Sequence, residues 1–308
     1  MNQGFIKVAA GTPGVTVADC RANTKAILEM IKEMEAQHAK IMVFPELCIT
    51  GYTCQDLFLQ RRLLDSAWES LLALAEETQD VDALIFVGLP VRKNGKLYNA
   101  AAVLNHGNIL GFVPKTHIPN YNEFYEQRHF SSGEDVWDEI TIGEESVPFG
   151  SSLIFSCEEL PELTVGAELC EDLWVPLPPS VNLAQAGAHI IVNLSASDEM
   201  VGKDSYRRDL VKGQSARLVC GYIYATAGEG ESSQDLVFGG QNLIAENGTL
   251  LAEAKRFQNT VIYGEIDVHR LADERRRLST YPASDDSDCQ MVPFEVEVEK
   301  TSLTRNFA

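Results

Sequence analysis

Three residues of this sequence could together carry out nucleophilic catalysis on an amide or a nitrile. Cys170 ends an apolar, strand-like run, and a thiol at a strand end is a candidate nucleophile. Glu46 and Lys115 end two other such runs. A carboxylate can take the thiol proton, and an ammonium group can stabilise a developing oxyanion. A proline precedes each charged residue and breaks strand pairing, so both are predicted at strand ends, where open α/β sheets place their sites.

A histidine is the more common partner of a catalytic cysteine, and His117 is the strongest candidate among the six histidines. It lies two residues after Lys115, but Pro119 follows closely and indicates a loop. We therefore favour Glu46 as the base. Each residue also has an ordinary interpretation: Glu46 could cap a turn, Lys115 could be a surface charge, and Cys170 could be a buried thiol.

The composition predicts a globular protein with one large core. The chain has 308 residues, of which 45% are hydrophobic and 23% charged, and it contains no Pro/Gly/Ser-rich linker. With 25 basic and 45 acidic residues the net charge is −20. This charge argues against nucleic acid or an anionic membrane as the main partner.

The seven cysteines predict neither a metal site nor a disulfide framework, because their number is odd and no C-x-x-C pair occurs. The N-terminus has no signal-type apolar region, and no run of 18 apolar residues is present. The cytosol is the expected compartment.

Hydrophobic periodicity predicts alternating strands and helices in both halves of the chain. Thr16 or Asp19 could cap the first helix. The first half of the chain is predicted to contain strands at 5–10, 41–44 and 83–88 and a second helix at 67–78. The second half is predicted to contain strands at 163–169, 189–194 and 222–226 and helices at 180–186 and 206–219. Turns at Asn94-Gly95, 105–108 and Asn247-Gly248 add antiparallel hairpins.

This pattern predicts an α/β fold, a four-layer α/β/β/α sandwich in which two mixed sheets pack face to face with helices outside. A last helix at 269–279 carries four arginines that we expect on a solvated face: Arg270, Arg275, Arg276 and Arg277. We place the domain at 1–280 and an acidic arm or linker at 281–308, whose acidic residues are Asp285, Asp286, Asp288, Glu295, Glu297 and Glu299.

Around the three candidate residues the sequence resembles the nitrilase superfamily of carbon–nitrogen hydrolases. The matching segments span most of the chain: Val43-Phe44-Pro45-Glu46-Leu47 with Thr50-Gly51-Tyr52, then Pro114 to Tyr121, then Leu169-Cys170-Glu171-Asp172. The resemblance narrows to the glutaminase domains of glutamine-dependent NAD synthetases in four stretches: 119–126, 170–176, 178–180 and 193–197.

The resemblance implies hydrolysis of glutamine, with ammonia passed to an ATP-dependent domain that amidates deamido-NAD. It implies Glu46, Lys115 and Cys170 as the catalytic triad and Glu123 as a second glutamate that positions the substrate and Lys115, with Glu126 as the weaker rival. The implied glutamine pocket comprises Tyr52, Tyr121, Glu171, Trp174 and Ser197. Nitrilase-like domains commonly pair, so a homo-oligomer is also implied.

Two departures from the family pattern matter. An arginine often follows the Ser-Ala-Ser segment, whereas this chain has Lys203, which keeps a positive charge for the glutamine carboxylate but loses the bidentate fork. The Ser-Gly-Gly-x-Asp-Ser loop of the synthetase domain is not found, and no other phosphate-binding loop occurs. We therefore expect the first domain of a longer enzyme, which needs no cofactor itself, while ATP, Mg and deamido-NAD would bind a linked or docked synthetase domain.

Two other interpretations stay open. The chain could be a free-standing nitrilase-family amidase that acts on another small linear amide. It could also be a non-catalytic scaffold that keeps the fold, although the complete set of Glu46, Lys115 and Cys170 argues against this.

Overall fold

A computed structural model describes residues 4–298 and 304–305 of the chain. The described residues form five α-helices: α1 (Cys20–Ala36), α2 (Arg61–Glu77), α3 (Pro179–Gln185), α4 (Lys203–Leu218) and α5 (Val268–Arg277). They form fifteen strands: β1 (Phe5–Gly11), β2 (Ile41–Val43), β3 (Leu84–Lys93), β4 (Lys96–Asn105), β5 (Asn108–Pro114), β6 (Trp137–Ile142), β7 (Glu145–Gly150), β8 (Leu153–Cys157), β9 (Thr164–Leu169), β10 (Ile190–Ser195), β11 (Gly221–Thr226), β12 (Leu243–Glu246), β13 (Thr249–Glu253), β14 (Val261–Asp267) and β15 (Gln290–Phe294).

The strands divide into two mixed sheets. The first has eight strands in the order β14-β1-β2-β3-β4-β5-β7-β6, and the second has seven in the order β13-β12-β11-β10-β9-β8-β15. In each sheet parallel pairs at the centre are flanked by antiparallel ones, for example β1–β2–β3 next to β4 and β9–β10–β11 next to β12. The predicted mixture of parallel units and hairpins is confirmed.

Three apolar cores separate four layers. The central core lies between the sheets and includes Val43 and Phe86 from the first and Val165 and Val192 from the second. A second core packs α1 and α2 on the outer face of the first sheet. A third packs α3 and α4 on the outer face of the second. The predicted α/β/β/α sandwich is therefore confirmed.

Local sequence explains the elements that were predicted well. The Asp19 side chain accepts a hydrogen bond from Ala22 N and caps α1. Both central residues of Asn94-Gly95 have positive φ, 49° and 74°, as the tight turn between β3 and β4 requires. The predicted hairpin at Asn247-Gly248, between β12 and β13, also forms.

One prediction about the last helix is wrong. Arg275 does not lie on a solvated face: its side chain is buried and donates hydrogen bonds to carbonyl oxygens at the ends of α3 and α4, among them Ala184 and Leu218. Carbonyl groups at helix C-termini lack intrahelical partners, and a guanidinium group can satisfy several of them. The other three arginines of this helix are exposed.

The segment after residue 280 is partly built into the fold. Strand β15 pairs in parallel with β8 at the edge of the second sheet, and Val292 and Phe294 enter the central core. The predicted boundary at 280 therefore precedes a strand of the sandwich. Glu299 of the predicted acidic arm lies outside the described residues.

Candidate active site

The loop that carries Glu46 packs directly against the first sheet. Glu46 lies just beyond β2, and its side chain is fully buried. Gly88 on β3 makes this position possible, since a Cβ atom there would lie 2.3 Å from Leu47 N and 2.8 Å from the Glu46 carbonyl carbon. Glu46 N in turn donates a hydrogen bond to Ser195 O on the second sheet at 3.3 Å. The candidate base thus lies where the two sheets meet.

A buried group of charges surrounds Lys115, which follows β5. Its Nζ lies 2.7 Å from Glu46 Oε1 and 2.7 and 2.8 Å from the two carboxylate oxygens of Glu126. Asn99 Nδ2 donates to Glu46 Oε1 at 2.6 Å, and Ala196 N donates to Glu46 Oε2 at 2.8 Å. These contacts fix the orientation of the Glu46 carboxylate.

Electrostatics keeps Lys115 charged despite its burial. Burial by itself would lower the pKa of Lys115, but the Glu126 and Glu46 carboxylates outweigh it and hold that pKa well above its usual value. Burial also raises the pKa of Glu126 to about 7; Lys115 opposes this shift, whereas the charge of Glu46 adds to it. The centre therefore holds one ammonium group between two carboxyl groups.

The second glutamate beside Lys115 is Glu126, so the prediction of Glu123 for that position is wrong. Glu126 is buried at the start of a short 3-10 turn, Glu126–Arg128, and its backbone N–H donates to Pro119 O. Glu123, three residues earlier, is half-buried and lines an open cleft. The chain thus turns Glu126 toward Lys115 and leaves Glu123 on the side where a ligand would enter.

Cys170 lies at the end of β9 with a strained backbone. Its φ of +43° falls in the left-handed region, which non-glycine residues rarely adopt. Cys170 N donates to Asn193 Oδ1 at 3.1 Å, and Leu169 N donates to Asp172 Oδ2 at 3.0 Å. A nucleophile on a sharp strand-to-helix turn presents its side chain outward, and here a 3-10 helix, Cys170–Leu173, follows the strand.

The thiol is held protonated at rest. Burial raises the pKa of Cys170 well above its usual value, the charges of Glu46 and Glu126 raise it further, and Lys115 and the Ala196 N–H oppose them. This mutual influence places Cys170 within electrostatic range of the charged centre. Because only the thiolate attacks well, a proton must leave as the reaction begins.

His117 has a different partner. Its Nδ1 lies 2.9 Å from Asp172 Oδ1, and its backbone N–H donates to the same oxygen at 2.7 Å. Asp172 thereby ties the loop after Lys115 to the turn after Cys170. His117 therefore helps to fix the conformation of the loop after Lys115.

A cleft of about 380 Å³ opens beside Cys170. It is lined by five of the predicted pocket and support residues together with Cys170: Tyr121, Glu123, Glu171, Trp174 and Ser197. Tyr121 donates its hydroxyl hydrogen to Glu171 Oε1 at 2.8 Å. The cleft therefore combines an aromatic wall with carboxylates near the thiol.

Lys203 also lines this cleft and lies among aromatic rings. Its Nζ lies 5.2 Å from the centre of the Trp174 ring and 5.7 Å from that of Phe124, within the range of cation–π contacts. It also forms an ion pair with Asp198. A positive charge is thus available in the cleft at the predicted position.

Tyr52, predicted to belong to the glutamine pocket, lies outside this cleft and lines a neighbouring cavity with Glu123 and Glu126. Its hydroxyl group donates to Glu126 Oε1 at 2.8 Å, and its ring packs edge-on against Phe238. It therefore supports the second glutamate, one contact away from Lys115.

Sequence reasoning missed three polar residues that hold this site together. Asn99 and Asn193 each interrupt an apolar strand, which is a signal that could have drawn attention to them. Arg207 is fully buried, and its guanidinium group donates to Ser197 Oγ at 3.1 Å and to Glu199 Oε1 at 2.8 Å. Its position in a polar helix gave no comparable signal.

A four-layer sandwich with a Glu–Lys–Glu centre beside a buried thiol defines a class of hydrolase that cleaves carbon–nitrogen bonds. The family model described as carbon–nitrogen hydrolase matches residues 7–276. This chain belongs to the carbon–nitrogen hydrolase family.

Relatives of known name agree with this membership. The chain is 42% identical over 280 residues to the glutamine-dependent NAD(+) synthetase of Mycobacterium tuberculosis strain H37Rv, and the match covers 90% of this chain and 41% of that protein. A solved glutamine-dependent NAD(+) synthetase from Cytophaga hutchinsonii is 31% identical with a TM-score of 0.76, covering 85% of this chain and 43% of that one. The chain thus spans less than half the length of these relatives.

A carbon–nitrogen hydrolase from Helicobacter pylori G27 shares the fold over nearly its whole length. It superposes with a TM-score of 0.72 at 20% identity, covering 89% of this chain and 93% of that one. Among the helices of the described residues, none has both the length and the apolar character needed to cross a membrane.

Proposed function

We propose that this chain is a glutamine amidohydrolase that forms a thioester on Cys170 and releases ammonia for an ATP-dependent amidation of deamido-NAD. The observation that carries the proposal is the pairing of a buried Glu46–Lys115–Glu126 centre with an open cleft that reaches Cys170. The relatives are named glutamine-dependent NAD(+) synthetases, which supports glutamine as the substrate, and the transfer of ammonia to deamido-NAD is part of the proposal.

In the first half of the reaction the Cys170 thiol gives its proton to Glu46, and the thiolate attacks the side-chain amide carbon of glutamine. The carbonyl oxygen gains negative charge, which the Lys115 ammonium group and a backbone N–H after Cys170 stabilise. The carbon–nitrogen bond then breaks, and the proton held by Glu46 passes to the leaving nitrogen. The products of this half are ammonia and a thioester.

In the second half a water molecule gives a proton to Glu46 and its oxygen attacks the thioester carbon. The carbon–sulfur bond breaks, glutamate leaves, and the proton returns to the sulfur. Glu46 serves both halves because its carboxylate is fixed by Lys115, Asn99 and Ala196 N. Glu126 holds Lys115 in place.

The cleft provides groups for both ends of an amino acid. Lys203, which also pairs with Asp198, supplies a positive charge for the α-carboxylate, and Glu171 and Glu123 line the cleft where they could bind the α-ammonium group. Trp174 packs along the methylene groups between them. This set favours a substrate that carries both charges over a simple aliphatic amide.

The test uses a diazo-ketone analogue of glutamine, followed by intact mass and peptide mapping. We expect one adduct, on Cys170, that free glutamine suppresses and that Cys170→Ala lacks. Cys289 is a half-buried cysteine outside the site and serves as the internal control for non-specific labelling. Labelling that butyramide suppresses and glutamine does not would overturn glutamine as the substrate and favour a free-standing amidase.

A further inference from the structure

Glu168 is a buried carboxylate that the proposed reaction does not use. It lies on β9 two residues before Cys170, on the face that packs against the helices, and only 1% of its surface is exposed. Ser180 N donates to its Oε2 at 2.8 Å, and the Tyr222 hydroxyl donates to its Oε1. Both donors are neutral, although a buried carboxylate is stabilised best by a cation.

The hydrogen bonds continue from Glu168 to the nucleophile across three neighbouring strands. Asn193 Nδ2 on β10 donates to the Tyr222 hydroxyl oxygen at 3.2 Å. Asn193 Oδ1 then accepts from Cys170 N at 3.1 Å and from Ser195 Oγ at 2.7 Å. Asn193 pairs in register with Glu168, which brings the two side chains to the same face of the sheet. We call Glu168, Tyr222 and Asn193 the nucleophile relay.

The carboxylate sets the direction of every bond in the relay. Above its pKa of about 7 Glu168 is an ionised carboxylate and can only accept, so the Tyr222 hydroxyl must donate its hydrogen to Glu168. The hydroxyl oxygen then faces Asn193 as an acceptor and attracts the amide nitrogen. The amide oxygen of Asn193 is thereby turned toward Cys170 N. A flipped Asn193 would instead place a donor against the Cys170 N–H.

We infer that Glu168 is a positioning residue for the nucleophile, because the relay it directs holds Cys170 in its left-handed backbone conformation. This inference rests on the proposed function, in which Cys170 is the nucleophile. A φ of +43° is strained for cysteine and persists only where its surroundings enforce it. The bond from Cys170 N to Asn193 is one such constraint on the turn that carries the thiol.

The first variant that tests the inference is Glu168→Gln, which preserves size but offers one acceptor and one donor. If the new amide N–H₂ faces Ser180, two donors meet at Ser180 N–H. If it faces Tyr222, the Tyr222 hydroxyl must accept a hydrogen bond from it, and Asn193 must flip to accept the hydroxyl hydrogen. We expect both kcat for glutamine and the rate constant for iodoacetamide modification of Cys170 to fall about 10- to 100-fold, with little change in KM. Unchanged kcat and alkylation rate in a folded variant would overturn the inference.

The matched control is Glu246→Gln, another carboxylate of the second sheet that is 1% exposed. Glu246 accepts from Asp267 N at 2.8 Å and pairs with Arg305, away from Cys170. We expect its replacement to lower the melting temperature without changing the alkylation rate of Cys170. An equal loss of alkylation rate in both variants would show a general effect of removing a buried carboxylate and would refute the relay.

Tyr222→Phe provides a second variant if Glu168→Gln folds poorly. Removal of the hydroxyl group interrupts the relay, so we expect a similar loss of alkylation rate. In the double variant the two losses should not multiply, because Glu168 reaches Cys170 through Tyr222. Losses that multiply would show that the two residues act independently.

Iodoacetamide separates this inference from the proposed function, because its reaction with a thiol does not require recognition of glutamine. If glutamine is not hydrolysed but Glu168→Gln slows alkylation of Cys170, the relay stands and the substrate assignment falls. If glutamine is hydrolysed and Glu168→Gln matches the unmodified chain in both assays, the relay falls and the substrate assignment stands.

Discussion

The two sheets contribute different kinds of groups to the site. From the first sheet and its loops come charges, Glu46, Lys115 and Glu126, which form ion pairs in a buried centre. From the second come Cys170 and Asn193, a thiol and an amide. The two sheets share a mixed topology, so the difference lies in the residues placed on their strands and in the loops that follow them.

This difference shows how the two halves of the site are held in place; the first half is the charged group of the first sheet, and the second half is Cys170 and Asn193 of the second sheet. Opposite charges attract from all directions and strongly at low dielectric, so the first half is fixed by its own ion pairs. A neutral thiol has no such anchor and depends on directional hydrogen bonds to its backbone. Glu46 joins the two halves, since it bonds Lys115 on one side and Ala196 N on the other.

Removal of the thiol should have the largest effect. In Cys170→Ala we expect glutamine hydrolysis to fall by at least about 10⁴-fold, because no covalent intermediate can form. The charged centre does not depend on the thiol, so the melting temperature should stay close to that of the unmodified chain. Ammonia release measures the first effect and thermal unfolding the second. Undiminished hydrolysis in this variant would rule out Cys170 as the nucleophile.

Removal of the Lys115 cation should lower both the catalytic activity and the stability of the protein. Lys115→Met leaves Glu46 and Glu126 facing each other without a counter-charge, and we expect a loss of about 3–5 kcal/mol of unfolding free energy. Loss of oxyanion stabilisation should lower kcat by about 10²- to 10³-fold. Urea unfolding and ammonia release test these values.

The control for the cation is Lys93→Met, which breaks a partly exposed pair with Asp138. We expect a change of about 0–1 kcal/mol there. Equal destabilisation by the two variants would contradict the view that the buried centre is held together by its ion pairs.

Replacement of the neighbouring residues Glu126 and Glu123 should have different effects on the kinetics. Glu126→Gln should lower kcat about 10²-fold, because it removes a charge that positions Lys115. Glu123→Gln should leave kcat within a few-fold and act mainly on KM, because Glu123 faces the cleft. Steady-state kinetics of both variants distinguishes the two roles. The reverse result would restore Glu123 as the partner of Lys115.

In the second half of the site, Glu168 should make the stability of the protein depend on pH. Burial raises the pKa of Glu168 to about 7, the charge of Asp172 adds to the shift, and the Tyr222 hydroxyl and Ser180 oppose it. Gln214 and Asn193 on adjoining elements are neutral, and the buried Cys220 thiol, whose pKa burial raises, also lies within electrostatic range of Glu168. The folded state therefore binds a proton that the unfolded state releases near pH 4.5.

The sign of this effect follows from the raised pKa. The contribution of Glu168 to stability is complete below pH 4.5 and is lost as the pH rises to about 7, a decrease of about 3 kcal/mol. Urea unfolding from pH 5 to pH 8 should show this decrease relative to Glu168→Gln, in which Glu126 still titrates. Parallel pH profiles for the two chains would exclude a raised pKa at Glu168.

The smallest effect is expected from replacement of Lys203 in the cleft. Lys203→Met should raise KM for glutamine about tenfold, equivalent to about 1.4 kcal/mol, with kcat nearly unchanged. Lys203→Arg should keep or improve KM, since a guanidinium group can bind a carboxylate through two hydrogen bonds. A fall in kcat without a change in KM would remove Lys203 from substrate binding.

Elements set by local sequence could be predicted well. The Asn-Gly turns specify their hairpins because both residues tolerate positive φ, and Asp19 caps α1 from its own position in the chain. Apolar runs that stop at a polar residue predicted the strand-end positions of Glu46, Lys115 and Cys170. These features depend on neighbours within a few residues.

The choice between Glu123 and Glu126 could not be made in this way. Both lie in a segment without periodicity, and the direction of each side chain is decided by how that segment packs against Lys115 and Tyr52. Arg275 was misplaced for a related reason, since the carbonyl groups that bury it belong to helices far away in the chain.

By itself, then, the sequence determined the central strands of both sheets, the Asn-Gly turns, the sandwich and the three residues at the strand ends, because their signals are local and periodic; strands β6 to β8, β14 and β15 were not predicted. Tertiary structure alone decided which glutamate meets Lys115, where Tyr52 points, and that Glu168 reaches Cys170 through Tyr222 and Asn193. Hydrogen bonds and ion pairs between distant segments depend on positions within a few tenths of an ångström, and those positions are fixed when the layers pack.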